Sequence, residues 1–355
     1  MKTLLQQLLQ TEADLNISGG RNMNRTMTSG KKIVGTLAIP CIVAAVLMIL
    51  CAVNGKRMIA GRTGLNFFIL YTAIVMLTTM SLSINLNSGR FDFSLGSMAV
   101  LSSVLSSRIT YSLLQGKSGS AAVMLILSIL IGAALGLASG IIYVTLRIPP
   151  IITSLGVTLI YEGITFTLTG GKYVMTEVRN SSISAFSGNW IWSLVVIICV
   201  LLLCIWMFGY TRFGYEYNAL KNGQKVAVST GIREVPNAVL CYMICGALMG
   251  IVGFLQASRS MNINGGALNF GSIAIMFTAF LPMFIGGYIG RYCNEKIGYL
   301  LAALCMSMLN STFAAFSNEI SASAQSIINA LLLVLFLVYL SNEHRFRALL
   351  KPVRS

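Results

Sequence analysis

Two acids stand where an otherwise apolar sequence would not be expected to carry them. Asp92 sits in NLNSGRFDFSLGS, residues 85–97, which interrupts an apolar pattern with Asn85, Asn87, Arg90 and Ser94. Glu162 is the one acid well inside an apolar run, in a stretch that also carries Thr153, Ser154, Thr158, Thr165, Thr167 and Thr169. Ionisable residues at membrane depth are costly and mark functional positions by default. Asp92 or Ser94 is also placed to cap the helix that follows, where a side-chain oxygen satisfies free backbone N–H groups and a negative charge meets the positive helix end. The two roles are compatible. Hydroxyls at helical spacing serve helix packing or a polar solute equally well, and Glu162 is expected to face protein and not lipid.

Other chemistry is excluded by absence. The only histidine is His344, close to the C-terminus, so histidine-based catalysis or metal binding inside the apolar runs is ruled out. The eight cysteines form no C-x-x-C pair, and Cys241 and Cys245, four apart on one helix face, read as small packing residues. Gly116, Lys117 and Ser118 approach a phosphate-binding loop, but its first glycine position holds Tyr111, so no ATP hydrolysis by a P-loop is available. No catalytic residue, metal or cofactor is assigned.

The elements that position these residues follow from composition. With 56% hydrophobic and 10% charged residues, the chain has more apolar surface than one soluble core can bury. A span needs about 20 mostly apolar residues. Runs at 33–53, 65–84, 96–114, 121–144, 152–169, 190–209, 237–256, 272–290, 297–317 and 324–341 meet this, which predicts an all-α, polytopic membrane bundle of about ten helices. The fifth run is rich in polar residues, and the eighth is interrupted by Pro282, Gly286, Gly287 and Gly290. The net charge of +15 is spread over short loops and not gathered on one basic face, which excludes nucleic acid and points to topology. Most Lys and Arg fall on one side if the N-terminal segment 1–32 and the C-terminal segment 342–355 are both cytoplasmic, with the transmembrane domain at 33–341 and a cytoplasmic loop at 210–236. Lys56, Arg57 and Arg62 run against that rule.

NSGRFDFSLGSMAV, residues 87–100, is similar to NINGGALNFGSIAI, residues 262–275, which contains Asn269. A five-span offset reverses chain direction, so this is the trace an inverted repeat would leave, and it draws both segments toward one pathway. In the loop, Gly223, Gln224, Lys225, Val226, Ala227, Val228, Ser229 and Thr230 are expected to form a short helix bounded by Gly223 and Gly231, suited to docking on another protein.

Three segments together resemble the permease subunits of ribose-, xylose- and autoinducer-2-type bacterial ABC importers. Ser88 to Ser97 resembles that family's glycine-glycine-isoleucine-aspartate-leucine-serine signature. Pro150 to Gly156 with Leu168 to Gly171 resembles its threonine-leucine-glycine and leucine-threonine-glycine-glycine segments, and Thr211 to Gly214 with Ala227 to Ile232 resembles its cytoplasmic coupling region. Arg90 and Phe91 depart from the pattern, as does Phe284-Ile285-Gly286-Gly287-Tyr288 after span eight. The resemblance implies a permease in a bacterial inner membrane and a second permease copy or paralogue. It also implies cytoplasmic ATPase subunits docked on 223–230 and an extracytoplasmic sugar-binding protein. The expected cargo is a monosaccharide or related small polar solute, with Asn85, Asn87, Asp92, Ser94, Thr153, Ser154, Glu162 and Asn269 along its path. A nucleoside or branched-chain amino-acid permease and an ion-coupled carrier stand as alternatives.

Overall fold

A computed structural model describes residues 29–342 except 116, 118, 175–180 and 318. The terminal segments therefore lie outside the described residues, apart from 29–32, which already belong to the first helix, and Asn342, which caps the last.

One compact unit is Ile59–Ala279. Its helices are α2 (Gly61–Asn87), α3 (Leu95–Leu114), α4 (Ser120–Leu146), α5 (Pro150–Thr169), α6 (Ser181–Ser187), α7 (Trp190–Tyr210), α8 (Arg212–Asn222), α9 (Gln224–Ser229), α10 (Glu234–Ser260) and α11 (Ile273–Phe277). A two-residue antiparallel ladder pairs β1 (Tyr173–Val174) with β2 (Ile263–Asn264). The other unit holds α1 (Ser29–Val53), α12 (Phe280–Ile289), α13 (Glu295–Ala315) and α14 (Ala322–Ser341).

Within the first unit, α10 is the central element, packed on α2, α3 and α4. Its contact with α4 is made by small residues at a spacing of four: Ser128, Gly132, Gly136 and Gly140 are the buried stripe of α4, and they meet Tyr242, Gly246 and Gly250. A Cβ at Gly136 would run into the Tyr242 carbonyl oxygen, and one at Gly246 into that of Gly132. In lipid no hydrophobic force draws helices together, so close backbone approach between small residues supplies the packing energy. Cys245 adds a reciprocal lock: its thiol lies 3.3 Å from the Ser81 carbonyl, while the Ser81 hydroxyl donates to the Cys245 carbonyl at 3.2 Å. The cysteine pair on this helix is buried packing, as its spacing suggests.

Among the described residues eight helices are long and apolar enough to cross a membrane: α1, α2, α4, α5, α7, α10, α13 and α14. The two remaining expected spans differ for physical reasons. The 20-residue α3 has the length, but its buried face carries Ser97, Ser102, Ser103, Ser106 and Ser107, so it is enclosed by protein and not apolar enough for lipid. The run 272–290 is two helices, α11 and α12, parted at Thr278 and Ala279. Pro282 has no N–H to give the Thr278 carbonyl, and its ring clashes with a carbonyl four residues back in a continuous helix.

In the second unit, Lys56 Nζ pairs with Glu319 Oε1 at 2.5 Å and sits 4.1 Å above the Phe316 ring, joining the end of α1 to the α13–α14 turn.

Candidate functional site

The α2–α3 connection turns on Asp92. Its Oδ1 accepts the Ser94 backbone N–H at 2.9 Å and the Ser94 hydroxyl at 2.6 Å, and its Oδ2 accepts from Asn85 Nδ2 at 3.1 Å. Asn85, Asp92 and Ser94 are all fully buried. Ser94 is the residue preceding α3, and its own side chain makes no capping bond. Of the two residues expected to cap this helix start, neither bonds a first-turn N–H of α3; Asp92 instead fixes Ser94, the residue that leads into it. The Ser154 hydroxyl, in the first turn of α5, donates to the Ile151 carbonyl at 3.0 Å and approaches the Phe91 carbonyl at 3.5 Å. Phe93 reaches Phe91 at 4.6 Å between ring centroids and Phe277 of α11 at 6.3 Å.

A second irregular segment leads into α11. Asn269 and Phe270 both have left-handed backbones, at φ 55 and 68, an uncommon state for residues with a Cβ. What holds them is Glu162, from α5. Its Oε2 accepts the Phe270 N–H at 2.9 Å, and its Oε1 accepts the Ser272 N–H at 2.8 Å and the Ser272 hydroxyl at 2.5 Å. Ser272 thus precedes α11 as Ser94 precedes α3, each with its N–H and hydroxyl on one carboxylate oxygen. The sequence comparison of 87–100 with 262–275 aligns Ser272 with Ser97. By role Ser272 matches Ser94, three residues away. The two segments touch, since a Cβ at Gly96 would run into the Ser272 carbonyl.

Asn85, Asp92, Ser94 and Ser154 are thus brought together, and Glu162 joins them through Ser272 and Gly96. Thr153 is buried beside Ser154, but its hydroxyl turns back to the Pro149 carbonyl at 3.4 Å. Asn87 is half-buried at the last position of α2, and Asn269 is exposed. Sequence reasoning missed Ser272, although a serine just ahead of an apolar run is a helix-start signal.

The loop segment expected to form a short helix bounded by glycines does form one. Gln224–Ser229 forms α9, with Gly231 at φ 91. Ala227 is buried, whereas Val226 and Val228 are 69% and 45% exposed. The preceding helix α8 is tied inward: the Tyr217 hydroxyl donates to the Ile84 carbonyl at 3.0 Å, one residue before Asn85.

A model of one protein family, described as branched-chain amino acid transport system / permease component, matches residues 64–339. The chain belongs to that family. This permease is 27% identical over 248 residues to an autoinducer 2 import system permease protein of Photorhabdus laumondii subsp. laumondii, covering 67% of this chain and 70% of the relative. It is 24% identical over 261 residues to the autoinducer 2 import system permease protein of Yersinia pestis (strain Pestoides F), covering 69% and 71%. No solved structure matches it. It is a multi-pass helical membrane protein and a transport permease component of the ABC importer type.

Proposed function

We propose that this permease translocates a monosaccharide of ribose, xylose or galactose type, or a related small polar solute, and is energised by separate cytoplasmic ATPase subunits. The observation that carries the reading is the meeting of two irregular, polar segments at Gly96 and Ser272, the kind of backbone tolerated at membrane depth only against protein or a water-filled path. The relatives named for autoinducer 2 import favour a small oxygenated solute. On this reading both termini are cytoplasmic and α9 presents Val226 and Val228 to the ATPase. The permease works in a bacterial inner membrane with a second permease copy or paralogue, and an extracytoplasmic binding protein delivers the solute.

A branched-chain amino acid is the second reading, favoured by the family's own description. An ion-coupled carrier draws less support, because the carboxylates of Asp92 and Glu162 are already occupied by serine hydroxyls and by backbone or amide N–H groups.

The test is purification of the tagged chain from native membranes, with and without Val226→Glu and Val228→Glu. A P-loop ATPase that accompanies the native chain and is lost from the variants supports the reading. Uptake by the purified chain alone in vesicles, with no ATPase present, would overturn it.

A further inference from the structure

The segment that leads into α11 is held at two heights on α5. At one height the Thr169 hydroxyl, on the last residue of α5, donates to the Gly265 carbonyl at 3.2 Å, and just beyond it Tyr173 pairs with Asn264 in the two-stranded ladder. Arg108 of α3 donates from Nη2 to the Leu168 carbonyl, and a charge at that level marks the membrane surface. At the other height Glu162 accepts the Phe270 and Ser272 N–H groups. Glu162 lies seven residues before the end of α5, a helix long and apolar enough to span. At 1.5 Å per residue the segment therefore descends about 10 Å below the surface.

Over that descent the chain is open and short of hydrogen bonds. Gly266 and Leu268 to Gly271 are exposed, Leu268 at 40% and Phe270 at 39%. Among the described residues nothing bonds the N–H groups of Ala267, Leu268 and Asn269, or the carbonyls of Gly266, Ala267, Asn269 and Gly271. The segment before α3 is the opposite case, with Arg90, Asp92 and Ser94 at most 3% exposed. Lipid cannot answer free backbone groups, and irregular backbone at this depth occurs only where protein encloses it or water wets it. The exposure of Leu268 to Gly271 rules out enclosure by the chain itself. A second copy pressed against the segment would have to supply partners to seven backbone groups at once.

We infer that residues 266–271 form one wall of a water-filled vestibule, which opens beside the end of α5 and reaches down to Glu162. The two irregular segments then divide the work: the one before α3 is a buried turn, and the one before α11 is the wetted surface. Water bonds the free N–H and carbonyl groups of the wall, and the hydroxyls of an uncharged solute can take its place. This deepens the solute-path reading above and rests on it for the use of the vestibule, not for its water.

The experiment labels Leu268→Cys and Ala267→Cys in native cells, intact and permeabilised, with a charged maleimide that does not cross membranes. Labelling is scored on the peptide that carries the new thiol, so the native cysteines do not count. Tyr173→Cys, 59% exposed beyond the end of α5, is the water control, and Leu202→Cys, 60% exposed midway along α7, is the lipid control. The reagent attacks the thiolate, which forms in water and not in lipid. Leu268→Cys is therefore expected to react within about tenfold of Tyr173→Cys, and at least about tenfold faster than Leu202→Cys. It should do so from the same side as Tyr173→Cys. If Leu268→Cys does not accumulate, Ala267→Cys decides. Reaction as slow as that of Leu202→Cys overturns the inference, whether lipid or a second copy covers the wall, and so does labelling from the side opposite Tyr173→Cys. The side is defined by Tyr173→Cys and the readout needs neither ATPase nor cargo, so failure of the vestibule and failure of the importer reading are told apart.

Discussion

The two irregular segments solve one problem with opposite means. Each delivers a serine to the start of a helix and seats its N–H and hydroxyl on a carboxylate oxygen. In the first the acid is local, Asp92, two residues before Ser94. In the second it arrives from 110 residues away, Glu162 on α5. The local acid is a turn that the segment makes by itself. The distant acid binds one element to another, and it holds two non-glycine residues in left-handed conformations that would otherwise relax. The difference predicts unequal tolerance of the same chemical change.

Glu162→Gln is expected to be the most damaging change. Both carboxylate oxygens accept backbone N–H groups, so one amide end must point its own N–H at a donor, at a cost of about 3 kcal/mol. A clear drop in the thermal unfolding midpoint, with loss of uptake, is the expected reading; an unchanged midpoint would break the comparison. Gly96→Ala comes next, at about 2 kcal/mol, because the added methyl meets a backbone carbonyl that has little room to move. Denaturation in detergent measures it, and its effect should shrink in a Glu162→Gln background, where Ser272 is already released. Asp92→Asn is expected to be mildest, at about 1 kcal/mol. Asn85 Oδ1 has no partner among the described residues, so a flip of the Asn85 amide presents an acceptor to the new amide N–H while the remaining oxygen still serves Ser94. If Asp92→Asn proves as harmful as Glu162→Gln, the difference between local and distant seats fails.

That same difference explains what was legible in the sequence. Asp92 and Ser94 are neighbours, so the helix start could be read from their spacing, and the glycine-bounded α9 was equally local. Glu162 could be recognised as an acid out of place, but its partners depend on tertiary packing that no periodicity encodes. The likeness of the two segments was visible, yet its register was off by three residues because matching letters favoured Gly96-Ser97 over the hydrogen-bonding role of Ser94. The break at Thr278 and Ala279 was signalled by Pro282, whereas the enclosure of α3 by protein emerges only from its neighbours.

The glycine contact between α4 and α10 constrains how this permease can move. Where carbonyl oxygens rest against bare α-carbons, sliding one helix by a residue would drive a side chain into the opposite backbone, so the pair behaves as a stiff strut. Displacement during a transport cycle must then fall on the joints made of hydrogen bonds, at Glu162 with Ser272 and at Tyr217 with Ile84. Those bonds can open and close one at a time, pivoting about a fulcrum that stays still.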